Sequence, residues 1–259
     1  MKDVFAKKKI GQHFLTDLNI AQKIVDQLDF SSYDKVLEIG PGMGVLTQFL
    51  NLKKVTLDLI EIDQESIIYL HEKFPELKNH IHLGDILKID LTTIFPSGDF
   101  AIIGNFPYNI SSQILFKTLE NRLRIPFFCG MFQKEVALRI CGNPGNKTYG
   151  ILSVLSQVYY ETNYLFDVPP NVFSPPPKVN SAVIALRRKE NLIIDFNEKL
   201  LFRVVKTGFQ QRRKTLRNSL KNLDIPKNIL EDSIFDLRPE RLSSGQFIEL
   251  TKLIGNAKV

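Results

Sequence analysis

From Lys35 to Leu186 the chain alternates short apolar, β-branched runs with stretches of helical periodicity. Runs at 36–39, 55–60, 81–83, 100–103 and 126–132 predict five strands. Each run is almost continuously apolar and the segments between them read as helices. That pattern predicts a parallel sheet buried on both faces. Residues 151–160 predict a further helix, and 164–168 and 181–186 two late strands. Prolines at 169, 170, 175, 176 and 177 make the intervening segment an extended, stiff loop, because proline fixes φ and removes a donor. After Arg187-Arg-Lys-Glu190 the pattern turns helical to the end. The expectation is an α/β domain over 1–189 followed by a small helical domain over 190–259.

Composition narrows the class. A chain of 259 residues, 44% of them hydrophobic, can bury a sizeable core. No apolar run approaches the roughly 18 residues needed to span a bilayer. The first ten residues lack the apolar centre of a secretory signal, and Asp3 with no Arg or Ser is unlike a transit peptide. A cytoplasmic protein with no membrane association is expected. Cys129 and Cys141 have no paired spacing and no His cluster beside them, so neither a disulfide nor a metal site is expected. The net charge of +6 is unevenly placed: residues 187–259 hold 16 Lys and Arg against 9 Asp and Glu, whereas 1–186 hold 18 against 19. A basic quarter on a neutral body suggests a polyanionic partner, although a solvated basic surface has the same composition.

Candidate chemistry sits at the ends of the predicted strands. After the first comes Glu38-Ile-Gly-Pro-Gly-Met-Gly44, whose Gly40, Gly42 and Gly44 permit a tight strand-to-helix turn and close approach of a ligand to the backbone. The G-x-G-x-G spacing differs from the G-x-G-x-x-G of dinucleotide binders. The preceding Glu38 suits a cationic ligand without phosphate. Glu61 closes the second strand, where a carboxylate can accept ribose hydroxyls, and Asp85 follows the third with Ile86 beside it. Three consecutive strands ending in such residues predict S-adenosylmethionine binding. The fourth strand ends in Asn105-Phe-Pro-Tyr108. The exocyclic N6 amine of adenine is a poor nucleophile because its lone pair is delocalised into the ring. The side-chain oxygen of Asn105 and the backbone carbonyl of Phe106 can accept its two N–H bonds and stabilise positive charge growing on nitrogen. Pro107 stiffens the turn and Tyr108 offers a stacking face for an extruded base.

With these motifs in hand, the chain resembles the ribosomal RNA adenine dimethyltransferases, nearly end to end from Gly11-Gln-His-Phe-Leu15 to Arg238-Pro-Glu-Arg-Leu-Ser243. The resemblance implies a Rossmann-like class I methyltransferase fold with a seven-stranded, mostly parallel sheet and a small helical C-terminal domain. It implies cofactor contacts at His13, Leu15, Gly40, Glu61, Asp85 and Asn105. It also implies that Phe173 stacks on the target base from the side opposite Tyr108. His13 stands where many relatives have Asn, and Phe106 where many have Leu or Ile. The basic stretch Phe209-Gln-Gln-Arg-Arg-Lys-Thr-Leu-Arg217 reads as a helix on which Arg213 and Arg217 share a face, flanked by Arg212 and Lys214, a ridge suited to phosphates. Lys7-Lys-Lys9 is a candidate additional arm.

The implied activity is dimethylation of the N6 amines of adjacent adenines in small-subunit (16S) ribosomal RNA by a monomer without metal, with a role in small-subunit biogenesis. One rival is the antibiotic-resistance branch that methylates large-subunit RNA. Others are a non-catalytic ribosome-assembly or RNA-binding factor and a DNA adenine methyltransferase. The Gln-Arg-Arg-Lys-Thr-Leu-Arg and Arg-Pro-Glu-Arg-Leu-Ser segments resemble the small-subunit enzymes, and the intact Asn105–Tyr108 turn favours catalysis.

Overall fold

The structure is a computed structural model that describes residues 6–7, 11–190 and 193–256. After a two-residue strand β1 (Phe14–Leu15) and helix α1 (Leu18–Val25), strands and helices alternate. They run β2 (Lys35–Ile39), α2 (Thr47–Leu50), β3 (Thr56–Glu61), α3 (Gln64–Lys73), β4 (Ile81–Leu83), α4 (Leu91–Ile94), β5 (Ala101–Asn105), α5 (Ser111–Glu120) and β6 (Phe127–Gln133). Next come α6 (Lys134–Ile140), α7 (Ile151–Tyr159), β7 (Tyr160–Val168), β8 (Phe173–Ser174) and β9 (Ser181–Arg188). The remainder is helical: α8 (Glu198–Gln210), α9 (Leu216–Ser219), α10 (Lys227–Leu230) and α11 (Ser244–Asn256).

Seven strands form one sheet in the order β4-β3-β2-β5-β6-β9-β7. The first five are parallel, and β9 runs antiparallel to β6. The predicted mostly parallel Rossmann-like sheet is therefore present. Its central parallel strands are almost continuously apolar because both faces are covered. Val36, Leu59, Ile103, Met131 and Val183 join a core with Ile24 of α1 and Leu70 of α3. Their neighbours Leu37, Ile60, Ile102, Phe128 and Ile184, which point to the other face, are equally buried. The order reverses at β2, with β3 on one side and β5 on the other, which creates a crevice at the carboxyl ends of these strands.

The chain forms two compact units, Met1–Ala137 with Asn163–Arg188, and Leu138–Thr162 with Lys189–Val259. The sequence pattern placed one boundary near residue 189; the second unit also takes in the segment 138–162. In that unit α7, α8 and α11 pack on one another, with Phe209 between Tyr149 and Phe247 at centroid distances of 6.1 and 5.9 Å. Among the described residues no helix is long and apolar enough to cross a membrane.

Candidate active site

The turn after β2 needs its glycines for different reasons. Gly40, Gly42 and Gly44 all have positive φ, at 68°, 54° and 74°. Gly40 lies at the centre of the crevice and lines all three adjoining pockets there, the largest about 460 Å³. Gly42 donates its N–H to Glu61 Oε2 at 3.0 Å. Gly44, expected to touch the cofactor, lines none of these pockets. A Cβ there would meet the Phe74 ring at 2.4 Å, so this glycine exists to let α3 pack against the turn. Helix α2 begins at Thr47, three residues after this glycine.

Two carboxylates stand behind this turn. Glu61 is 4% exposed, and its oxygens accept from the N–H groups of Gly42, Ile62 and Asp63 at 3.0, 2.8 and 2.9 Å. Burial raises its pKa against these bonds. Glu38, 1% exposed, accepts the Thr47 hydroxyl at 2.6 Å. Burial, with some repulsion from Glu61, pushes its pKa up to about 8. Asp85 and Ile86 line the adjoining pocket at the end of β4, where Asp85 caps the N–H of Leu87 at 3.0 Å. Among the described residues lining the three pockets none is Lys or Arg, while Glu38, Glu61 and Asp85 all are present. Such a lining suits a cationic ligand without phosphates, and so fits S-adenosylmethionine.

At the end of β5 the backbone turns so that Phe106 goes inward and the polar groups go outward. The Phe106 ring is 1% exposed and stacks on Phe128 at 5.1 Å. It fits only because Gly104 and Gly130 lack side chains: a Cβ on either would lie 2.7 or 2.2 Å from the ring. Asn105 Nδ2 donates to the backbone oxygen of His13 at 2.9 Å, which identifies the amide nitrogen and leaves Oδ1 as an acceptor with no partner among the described residues. Pro107 lines the same pocket. Tyr108 shares a hydrogen bond with Ser181 Oγ. The His13 ring stacks on Tyr108 at 5.5 Å and 26°, and His13 Nδ1 lies 2.8 Å from the Pro175 oxygen. Because a carbonyl only accepts, Nδ1 carries the proton in that bond.

These contacts bring the N-terminal segment and the proline-rich loop together. β1 pairs antiparallel with β8, Leu15 opposite Phe173 and Phe14 opposite Ser174. Phe14 reaches Gly42, where a Cβ would lie 2.8 Å from its ring. Leu15 lines one of the pockets while packing in the core. Phe173, expected to stack on a target base, is instead a core side chain at 4% exposure. The ring facing Tyr108 is that of His13. Ser181 and Phe14 were missed from sequence, because nothing in a strand-end serine or a lone phenylalanine marks its neighbour in space.

The basic stretch differs from the predicted ridge. Helix α8 ends at Gln210 and α9 starts at Leu216, so Arg213 and Arg217 do not share a helix. Arg212 donates to the Lys147 and Asn146 carbonyls, the latter at 2.8 Å. Arg217 is held by Asp236 at 2.7 Å and by the Leu230 carbonyl. Only Arg213 and Lys214 of the four are exposed. Lys7 pairs with Asp63 and with Glu65 at 3.1 Å; Lys8 and Lys9 lie outside the described residues.

A parallel sheet reversing at β2, with an acidic pocket beside an amide-bearing turn, defines a Rossmann-like methyltransferase. Comparison with known proteins narrows the class. A family profile described as ribosomal RNA adenine dimethylase matches residues 5–249. The chain is 59% identical over 254 residues to ribosomal RNA small subunit methyltransferase A of Flavobacterium johnsoniae, covering 98% of this chain and 97% of that one. Among solved structures it is similar to a dimethyladenosine transferase from Plasmodium falciparum, with a TM-score of 0.82, 27% identity and coverage of 95% and 99%. It is also similar to the 23S rRNA methyltransferase ErmE, with a TM-score of 0.70, 25% identity and coverage of 92% and 99%. The chain belongs to the ribosomal RNA adenine dimethylase family.

Proposed function

We propose that this chain dimethylates the N6 amine of adjacent adenines in small-subunit ribosomal RNA during small-subunit biogenesis. The observation that supports this most directly is the Asn105 amide, oriented by the His13 carbonyl in the same pocket as the glycine turn. Oδ1 of Asn105 and the carbonyl of Phe106 are then the acceptors for the two amine N–H bonds. They favour a pyramidal nitrogen and stabilise the positive charge that develops on it, and the proton leaves to solvent without a strong base. Tyr108 supplies the stacking face. The 59% identity to a small-subunit methyltransferase, against 25% to a large-subunit one, supports the small-subunit target.

S-adenosylmethionine, when bound, supplies a methyl group activated by a sulfonium. Gly40 and Gly42 permit its close approach, Glu61 accepts ribose hydroxyls, Asp85 and Ile86 receive its base, and His13, Leu15 and Asn105 close the pocket. Glu61 also ties the glycine turn together, so it shapes the pocket as well as lining it. The segment 190–259 carries the excess positive charge and serves as the RNA-binding part, with Arg213 and Lys214 as its exposed phosphate contacts. In this reading the protein acts as a monomer in the cytoplasm.

The test is methyl transfer to unmethylated small subunits, large subunits and DNA, followed by digestion to nucleosides and separation by mass. N6,N6-dimethyladenine in small-subunit RNA, preceded by transient monomethyl product, is expected. Monomethyladenine as the sole final product, or methylation confined to large subunits or DNA, would overturn the reading.

A further inference from the structure

Tyr108 is held at two points that belong to different parts of the sheet. Its backbone follows directly from β5 through the Asn105–Pro107 turn. Its hydroxyl shares a hydrogen bond with Ser181 Oγ, at the first residue of β9. Ser181 is fully buried, and its strand position is set by pairing with Gln133 of β6. The neighbouring Asn180 carbonyl accepts the N–H of Lys134 at 2.9 Å, which secures this end of β9 further. β5 is itself the other neighbour of β6, with Asn105 opposite Met131. One hydroxyl pair therefore spans from β5 across β6 to β9, from the turn that bears the amine acceptors to the far strand.

A tyrosine ring anchored only at Cα rotates about χ1 and χ2. Fixing its para oxygen to a rigid strand holds χ1 and so the place of the ring; χ2 turns about an axis through that oxygen and is limited by the packing of the neighbouring His13 ring. The His13 ring, lying 5.5 Å away and nearly parallel, covers one face of the Tyr108 ring. Burial of the phenol raises its pKa, and the Ser181 bond opposes the rise only in part, so the hydroxyl stays protonated and able to donate at neutral pH. We propose that Ser181 is a positioning residue for methyl transfer: its hydroxyl, bonded to Tyr108, fixes the place of the ring on which the target adenine stacks and so aligns the amine with Asn105 and Phe106. The proposal rests on Tyr108 being the stacking face.

A double-mutant cycle on the full-length protein tests it, with the single-turnover rate of methyl transfer measured on unmethylated small subunits. Tyr108→Phe keeps the ring and removes only the shared bond; Ser181→Ala removes it from the other side. Each should lower the rate roughly three- to tenfold, the worth of one hydrogen bond. The double variant should be no slower than the slower single, and affinity for S-adenosylmethionine should not move. Additive losses, or a Tyr108→Phe rate equal to wild type, would overturn the role of Ser181. Should Ser181→Ala fail to fold, Tyr108→Phe alone decides. Tyr108→Ala separates the two levels of inference. If it transfers methyl at the wild-type rate, the stacking reading itself fails. If it is slow while Tyr108→Phe is unimpaired, only the Ser181 proposal falls.

Discussion

Glu38 makes stability depend on pH in a way that one substitution should abolish. Its carboxyl is 1% exposed and burial shifts its pKa from the usual 4.5 to about 8. A carboxyl whose pKa is raised by folding binds its proton more tightly in the native state, so it favours the native state at low pH. The contribution is fully present below pH 4.5 and is lost as pH rises through about 8. At about 1.4 kcal/mol per pH unit, the ionised group costs about 3 kcal/mol at pH 7 and about 5 kcal/mol above pH 8. Glu38→Gln keeps the shape and an acceptor for the Thr47 hydroxyl while removing the charge. An amide N–H left without a partner subtracts about 1–3 kcal/mol, but by the same amount at every pH. The slope is therefore the observable rather than the level. Denaturant unfolding of the cofactor-free protein from pH 5.5 to 9 should show wild type losing stability with rising pH and the variant lacking most of that loss. Parallel curves for the two proteins would refute the reasoning. A cation in the pocket favours ionised Glu38, so affinity for S-adenosylmethionine should rise with pH through the same window in wild type and stay level in Glu38→Gln.

The sheet was legible in the sequence because parallel strands buried on both faces carry few polar positions to confuse their pattern. Predicted and observed strand limits differ by a few residues at most, as for the strand predicted at 164–168 and observed as Tyr160–Val168. The glycine turn and the Asn105–Tyr108 turn were legible because their chemistry is local: a ligand needs those residue types within a few positions. What was not legible depends on distant partners. Phe173 in a proline-rich loop reads equally as a stacking ring or a core ring, and pairing with Leu15, across the length of the unit, puts it in the core. The stretch 209–217 contains no Gly or Pro to announce a break in the helix. It breaks because Arg212 is drawn to carbonyls in the 146–147 turn and the N–H of Leu216 to the carbonyl of Leu237 at 2.8 Å. Nothing local in the sequence marks Gly104 and Gly130, because the Phe106 ring that fills the space beside them is brought there by folding.

Three further outcomes follow from this arrangement. Asn105→Ala removes a transition-state acceptor and should lower the single-turnover rate by about 10²-fold or more, with affinity for the ribosomal particle nearly unchanged because phosphate contacts dominate it; a near wild-type rate would remove Asn105 from the chemistry. Reversing the charge of Arg213 and Lys214 together should weaken particle binding and lower the log–log salt slope by roughly 0.7–0.9 for each phosphate no longer neutralised. Arg217→Ala should behave differently, because this guanidinium already serves Asp236 and the Leu230 carbonyl. Its removal should lower folding stability by about 1–3 kcal/mol while leaving the salt slope of the folded protein unchanged. A slope that falls with Arg217→Ala and holds with the Arg213 and Lys214 reversal would show that the arginine bound inside the fold is the one RNA recruits, and that the exposed pair is only solvated surface.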